Sequence, residues 1–259
     1  MTTTLIVLAH PDPRSFNGAW ADASQQAARD LGHEVLVSDL CAMGFDAVEG
    51  PQHYSDTDAG ASFDPLKVQA SKAEQGRLPP DIESEIDKVR RAHRIIFHFP
   101  IWWFSPPAVL KGWFDRVLAH GALHDVDHRF DSGRFRGRET LFCVTTGSRA
   151  EESAFNGKEG DIQMLLWPAA YTLRYVGFSV LSPVIVNGVH GYHEGTAETA
   201  LQSRLAGVLD RQAALIADWA SHPKVPFNRD SDFDETGRLI DGRPSLSPFI
   251  RHTQGWDGP

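Results

Sequence analysis

Residues 97–110 read FHFPIWWFSPPAVL, and the reading of this stretch decides the fold. A membrane-spanning helix needs about 20 consecutive apolar residues, and His98, Pro100, Pro106 and Pro107 forbid one here. The segment divides instead into a strand, RIIFHF, that ends at Pro100 and a helix that opens near Pro107. Between them lies a short aromatic loop at the carboxyl end of a strand, which is where open α/β sheets hold their ligands.

The same alternation continues on both sides. LIVLA (5–9) is an unbroken apolar run, suited to a parallel strand covered on both faces. Residues 17–31 are rich in alanine and other helix formers, with Gly32 placed for a C-cap, and HEVLVSDL is the second strand. DIESEIDKVRRA sets Ile82, Ile86 and Val89 on one helical face behind an acidic first turn. Helices are then predicted at 108–119, at 162–177 with an interruption near Pro168, and at 196–219. Strands are predicted at 140–147 and 179–186. Five strands alternating with helices predict an α/β fold with a doubly wound parallel sheet. Residues 44–80 show little periodicity and read as an irregular insertion, and the Pro-, Asp- and Gly-rich tail from Ser221 reads as irregular too.

At 259 residues the chain can bury a substantial core as one domain with appendages. A formal net charge of -9, with no basic cluster, argues against nucleic-acid and anionic-membrane partners. Cys41 and Cys143 are the only cysteines, too few for a disulfide framework, so a reducing compartment is expected. The amino terminus has a short apolar run without a basic flank, so it reads as the first strand and not as a signal or anchor. The expected location is the cytoplasm.

Three loops carry the chemistry. The first, HPDPRSFNG (10–18), lacks both common glycine-rich phosphate patterns but offers His10, Arg14, Ser15 and Asn17 before a helix amino terminus. Phosphate binding is one reading, and simple N-capping by Ser15 or Asn17 is the other. The second, PIWWFSPP, could present the backbone of Pro100–Phe104 as a shelf for a planar heterocycle, with Trp103 and Phe104 as a wall; plain core packing is the alternative. The third opens with Thr145, Thr146, Gly147 and Ser148 and then turns acidic. Loops after the first, third and fourth strands converge in a flavodoxin-like strand order, and a phosphorylated planar cofactor, best a flavin, satisfies all three. His120, His124 and His128 recur every four residues, but Gly121 and the acidic neighbours disfavour a helix, so no metal is assigned.

The order and spacing of LIVLAHP..RSFN, FHFPIWWFSPPAVLKGWFDRV, GRFRGRE.LFCVTTG and LLWP...TLRYVGF.VL.P resemble the flavodoxin-fold NAD(P)H quinone reductases of the DT-diaphorase type, over roughly residues 4–190. The resemblance implies a homodimer with tightly bound FAD in preference to FMN, and hydride transfer from NAD(P)H through flavin to a quinone-like acceptor. It implies a flavin-binding catalytic domain over 1–220 and an extension over 221–259. By position, His10, Ser15, Phe16 and Asn17 are expected at the cofactor diphosphate. Pro100, Ile101, Trp103 and Phe104 are expected against the ring system, with Thr145, Thr146, Gly147 and Ser148 along its polar edge. The substrate would meet Trp103, Phe104, His124 and Val126.

The pattern departs from the family in the fourth loop. Where the family carries a catalytic tyrosine and histidine, this chain has Ser153 and Glu159, which together with Gly147 occupy the catalytic positions. Arg149 or Lys158 is the candidate source of a compensating positive charge, with backbone N–H groups as the alternative. Asp115 is assigned to structure, pairing with Lys111 or Arg116. Competing readings keep the fold: an FMN-dependent azo, nitro or flavin reductase, or a flavin-binding regulatory subunit resembling the ancillary proteins of potassium efflux systems. Residues 44–80 are expected to reach toward a second subunit and residues 221–259 to pack along it.

Overall fold

The computed structural model describes residues 1–54 and 62–253. Its described strands form one parallel sheet: β1 (Thr3–Leu8), β2 (Glu34–Asp39), β3 (Arg94–Pro100), β4 (Glu139–Thr145), β5 (Ser179–Val180) and β6 (Val184–Val186). The order is β2-β1-β3-β4-β5, with β6 also paired to β4, as in a flavodoxin-like fold. The strand expected over 179–186 is therefore two short strands in one edge position. Pro183 accounts for the break, because it brings no N–H to the ladder, and the Ser182 N–H donates to the Pro223 carbonyl at 2.7 Å instead. Every residue of β1 is buried, as are all but the first of β3 and β4, so the apolar runs correspond to two-sided burial.

Helices α1 (Phe16–Asp30), α2 (Pro65–Glu74), α3 (Pro80–Arg91), α4 (Ala108–Val117), α5 (Ile162–Tyr175) and α6 (Thr196–Ala217) surround the sheet. On one face α1 and α6 bury Trp20, Ile216 and Trp219 with Ile6, Ile96 and Cys143. On the other, α3, α4 and α5 bury Ile86, Trp113 and Leu173 with Val7, Phe97 and Phe142. Gly32, at φ +73°, ends α1 with bonds from its N–H to Arg29 O (2.8 Å) and from His33 N–H to Ala28 O (3.0 Å), the pattern that only a left-handed residue closes.

Two further expectations need correction. The segment 44–80 is not wholly irregular, since α2 lies within it. Asp64 caps α2, accepting from the Lys67 N–H at 3.2 Å, with Pro65 in its first turn. Its buried residues are Gln69 and Lys72, so hydrophobic periodicity could not reveal it. Helix α5, in turn, runs through Pro168 without interruption. An interior proline costs about 3 kcal/mol, and the buried Leu166, Ala169, Ala170 and Leu173 hold the helix against that cost. Residues 55–61 of the insertion and 254–259 of the tail lie outside the described residues.

Both appendages are tied to their own chain. Arg116 is buried; its Nη1 donates to Asp46 O (2.7 Å) and lies 3.1 Å from Asp81 Oδ2, which fastens the start of the insertion to α3 and α4. A Cβ on Gly112 would sit 2.2 Å from Ala47 O, so the crossing of α4 needs glycine there. The tail runs along the β5 edge, where Val225 N–H donates to Val180 O (2.8 Å) and Leu181 bridges Lys224. It then covers α5, stacking Phe249 on Trp167 at 4.6 Å. Apart from a single turn of 3-10 helix at Asp230–Asp232 it has the irregular course expected of it. Among the described residues no helix is long and apolar enough to cross a membrane.

Candidate functional site

The loops after β1, β3 and β4 meet at the carboxyl edge of the sheet. Asn17 Nδ2 donates to Thr145 Oγ1 at 2.8 Å, Ile101 N–H donates to Thr145 O at 2.8 Å, and the His10 and Trp102 rings lie 6.1 Å apart. Ser15 is the N-cap of α1, its Oγ accepting from the Gly18 N–H at 3.2 Å. Asn17 is not a cap. The N–H groups of Phe16 and Asn17, in the first turn, make no hydrogen bond among the described residues and can meet an anion. Phe16 packs on Trp20 at 5.4 Å. His10 Nδ1 lies 3.0 Å from both the Asp12 N–H and the Asp12 carbonyl oxygen, which holds the ring in place at the end of β1. Arg14 pairs with Asp12 at 3.1 Å and holds that carboxyl below its usual range.

The aromatic loop is a tight turn more than a shelf. Trp102 N–H donates to Ser105 O (2.9 Å) and Ser105 N–H to Trp102 O (3.1 Å), so Trp103 and Phe104 occupy the two central positions at φ 49° and 61°. Asn-Gly is the usual pair in such a turn, because left-handed backbone strains other residues. The N–H groups of Ile101 and Trp102 are engaged within the chain, so only those of Trp103 and Phe104 can meet a ligand. Trp103 is 93% exposed and Phe104 52%. Strain together with exposure of large aromatics marks a functional position better than a packing one.

Across from the turn, Thr146 and Ser153 are buried and Ser148 lies between them. Thr146 Oγ1 and Ser148 Oγ are 2.9 Å apart, and Ser148 Oγ is also hydrogen-bonded to Ser153 Oγ. A Cβ on Gly147 would meet only Val189 O, at 4.0 Å, so its own chain leaves room there for a larger residue. Ile101, Trp103, Phe104, Thr146, Ser148, Glu152, Ser153 and Glu159 line a cavity of about 340 Å³, closed behind by Ile162 and Leu165. Glu152, which the sequence reading passed over, lies on this wall and pairs with both Arg149 (3.2 Å) and Lys158 (3.3 Å). Those partners, the Arg149 hydrogen bonds foremost, hold its carboxyl down to about 2. The three-residue spacing from Arg149 to Glu152 was the available signal.

Other expected residues lie elsewhere. His124 lines a groove of about 690 Å³ with Lys111, Trp167 and Tyr175, while Val126 lines a third cavity near the tail, so within one chain neither joins Trp103 and Phe104. Burial, and then His120 beside it, push the His124 ring below its ordinary range. The three loop histidines do not converge: His120 packs against His124 at 5.2 Å, and His128 pairs with Asp125 at 2.8 Å. Asp115 pairs with Lys111 at 2.5 Å, the structural role expected of it.

The residues fit a flavin. Asn17 Oδ1 is buried and has no hydrogen-bond partner among the described residues, an acceptor that a sugar-chain hydroxyl can satisfy. Gly147, between two residues of the wall, has open space around it, and the cavity has the size of a small planar-ligand site. The sequence profile of the flavodoxin-like fold matches residues 2–210. The rat protein named NAD(P)H dehydrogenase [quinone] 1 is 38% identical over 187 residues, 71% of this chain and 68% of that one. The chain belongs to the flavodoxin-fold NAD(P)H:quinone oxidoreductase family. Another member, the rat ribosyldihydronicotinamide dehydrogenase [quinone], is 39% identical over 225 residues, 85% of this chain and 93% of its own. A Klebsiella pneumoniae family structure, solved as a candidate quinone reductase, superposes with a TM-score of 0.81 at 30% identity, covering 92% of this chain and 94% of that one.

Proposed function

We propose that the protein is an FAD-dependent oxidoreductase that reduces quinones, or similar planar acceptors, by two electrons at the expense of NAD(P)H. The observation that carries this reading is the cavity between a strained aromatic turn and a wall of hydroxyls, on loops that the Asn17–Thr145 hydrogen bond ties to the amino terminus of α1. His10, Ser15, Phe16 and Asn17 would hold the diphosphate end. Pro100, Ile101, Trp103 and Phe104 would support the rings, and Thr145, Thr146, Gly147 and Ser148 would bond their polar edge. A bound flavin would supply the hydride chemistry that connects nicotinamide and acceptor. The chain's own task is positioning: Trp103 and Phe104 exclude water above the cavity and orient a flat substrate there. Ser153 and Glu159 stand where the family places its acid–base pair.

The reading includes a homodimer. An almost fully exposed Trp103 and a half-exposed Phe104 line the cavity, while His124 and Val126 line separate grooves. A second copy would cover the first group and bring the other to the substrate. Cys41 and Cys143 are both free thiols, which suits the cytoplasm.

The test is to purify the protein, weigh the extracted cofactor and assay NADH and NADPH oxidation against a panel of quinones, with sedimentation for the dimer. FAD, rapid quinone reduction without any partner protein, and twice the chain mass are expected. FMN with activity on azo or nitro compounds would move the protein to the alternative reductase reading. A coloured protein that consumes no NAD(P)H would point to a regulatory subunit.

A further inference from the structure

The further inference concerns the hydroxyl chain and rests on the reading of the cavity as a flavin site. Thr146, Ser148 and Ser153 all line the cavity, and their oxygens bond in series, with Ser148 Oγ in the middle. Three hydroxyls carry three protons, and the two links consume two of them in either direction. Run from Ser153 through Ser148 to Thr146, the chain leaves the Thr146 proton free; run the other way, it leaves the Ser153 proton free; with both neighbours donating to Ser148, it leaves the Ser148 proton free. Thr146 Oγ1 also accepts from the Ser148 N–H at 3.3 Å, which fixes that end of the series. Whichever way the links run, the wall holds one unused donor without carrying any charge.

The charged alternatives cancel. Arg149 and Lys158 are 76% and 73% exposed, both pair with Glu152, and neither lines the cavity. Glu152 and Glu159 do line it, so the four formal charges sum to zero and the two nearest the ligand space are negative. Exposed pairs of this kind are weak and screened, whereas a hydroxyl donor in a buried wall acts on a developing negative charge at close range.

We propose that this hydroxyl chain, oriented by Ser153, is the donor that stabilises negative charge on the polar edge of the reduced cofactor, in place of Arg149 or Lys158. Ser153 is then a positioning residue acting through Ser148 and Thr146, and the cations serve to neutralise Glu152 and hold its loop.

The experiment measures the midpoint potential of bound FAD, and the affinity for oxidised FAD, in the holoprotein and in the Ser153→Ala, Ser148→Ala, Ser153→Thr and Arg149→Ala/Lys158→Ala variants. Each alanine at a serine is expected to reduce the preference for reduced over oxidised cofactor about tenfold, a drop of about 30 mV for a two-electron couple. Oxidised FAD should bind as before, Ser153→Thr should recover the potential, and the double variant, which leaves Glu152 unneutralised but keeps the hydroxyl chain, should shift it less than either serine variant. Serine variants with the parent potential, equal loss of both redox forms, or an equal shift in the double variant would overturn the proposal. Should Ser153→Ala fail to fold, Ser148→Ala decides alone. A protein that takes up no flavin overturns the reading of the cavity, and this proposal with it; one that binds flavin without a serine-dependent potential overturns only the hydroxyl chain.

Discussion

Replacing Trp103 by Asn should make the flavin-free protein more stable while weakening its hold on flavin. Trp103 sits at φ 49°, and left-handed backbone costs a residue of its kind about 1–2 kcal/mol, a cost that Asn largely avoids. The side chain returns little by burial. A wholly buried aromatic removes about 150–250 Å² from water, and at 93% exposure Trp103 retains on the order of 15 Å², about 0.4 kcal/mol at about 25 cal/mol per Å². The difference is a gain of about 1 kcal/mol, or about 2–4 °C in melting temperature for a chain of this size. Losing one wall of the ring site should weaken flavin binding about tenfold, about 1.4 kcal/mol. Calorimetric melting of the flavin-free protein and titration of flavin fluorescence measure the two effects separately. A lowered melting temperature, or undiminished flavin affinity, would refute the argument that this turn keeps its aromatics at the expense of its own backbone.

Gly147→Ala places a methyl where the chain itself has only Val189 O at 4.0 Å, so the melting temperature without flavin should hold while flavin affinity falls about tenfold; equal affinity would show that nothing approaches Gly147. Arg116→Met removes the cation between Asp81 and Glu49 and should cost about 3 kcal/mol in urea unfolding, a loss under about 1 kcal/mol counting against Arg116 as the anchor of the insertion. His98 is buried beside Trp20, with Nε2 3.0 Å from Ser24 Oγ. Burial drives its pKa down from 6.5 to about 3. The unfolded chain binds that proton first, so this contribution to stability is complete above about pH 6.5 and is lost as pH falls toward 3, at about 1.4 kcal/mol per pH unit. His98→Gln should flatten the slope of stability between pH 6.5 and 5 by one proton, and an unchanged slope would assign the acid sensitivity elsewhere.

The sheet was legible because its strands are unbroken apolar runs and its helix ends carry ordinary signals such as Gly32 and Pro107. What escaped reading depended on contacts made far along the chain. Helix α2 buries Gln69 and Lys72 rather than an apolar stripe, so its face is defined by polar groups whose partners sequence spacing cannot reveal; Gln69, for one, accepts from the His120 N–H at 3.0 Å. Pro168 signals a break that the packing of α5 overrides. At the site, the three loops could be named from their places after strands, and Trp103 and Phe104 from their chemistry. Their left-handed backbone could not, because neither residue type favours it. Nor could the pairing of Arg149 and Lys158 with Glu152 be foreseen, since the choice among neighbouring carboxylates depends on how the loop folds back, with Glu159 N–H donating to Glu152 O at 2.9 Å.

The course of the tail along β5 bears on colloidal behaviour as well as on shape. A short final strand broken by Pro183 would present unpaired amides and carbonyls, which can template the addition of a strand from another molecule. Pro223, Lys224 and Val225 occupy those groups from within the same chain. Lys224 also brings an ammonium group to the rim, 2.8 Å from Glu139. The strap is thus a guard against fibrillation: cut before His222, the protein should retain its sheet yet lose its resistance to edge-to-edge association when concentrated or warmed.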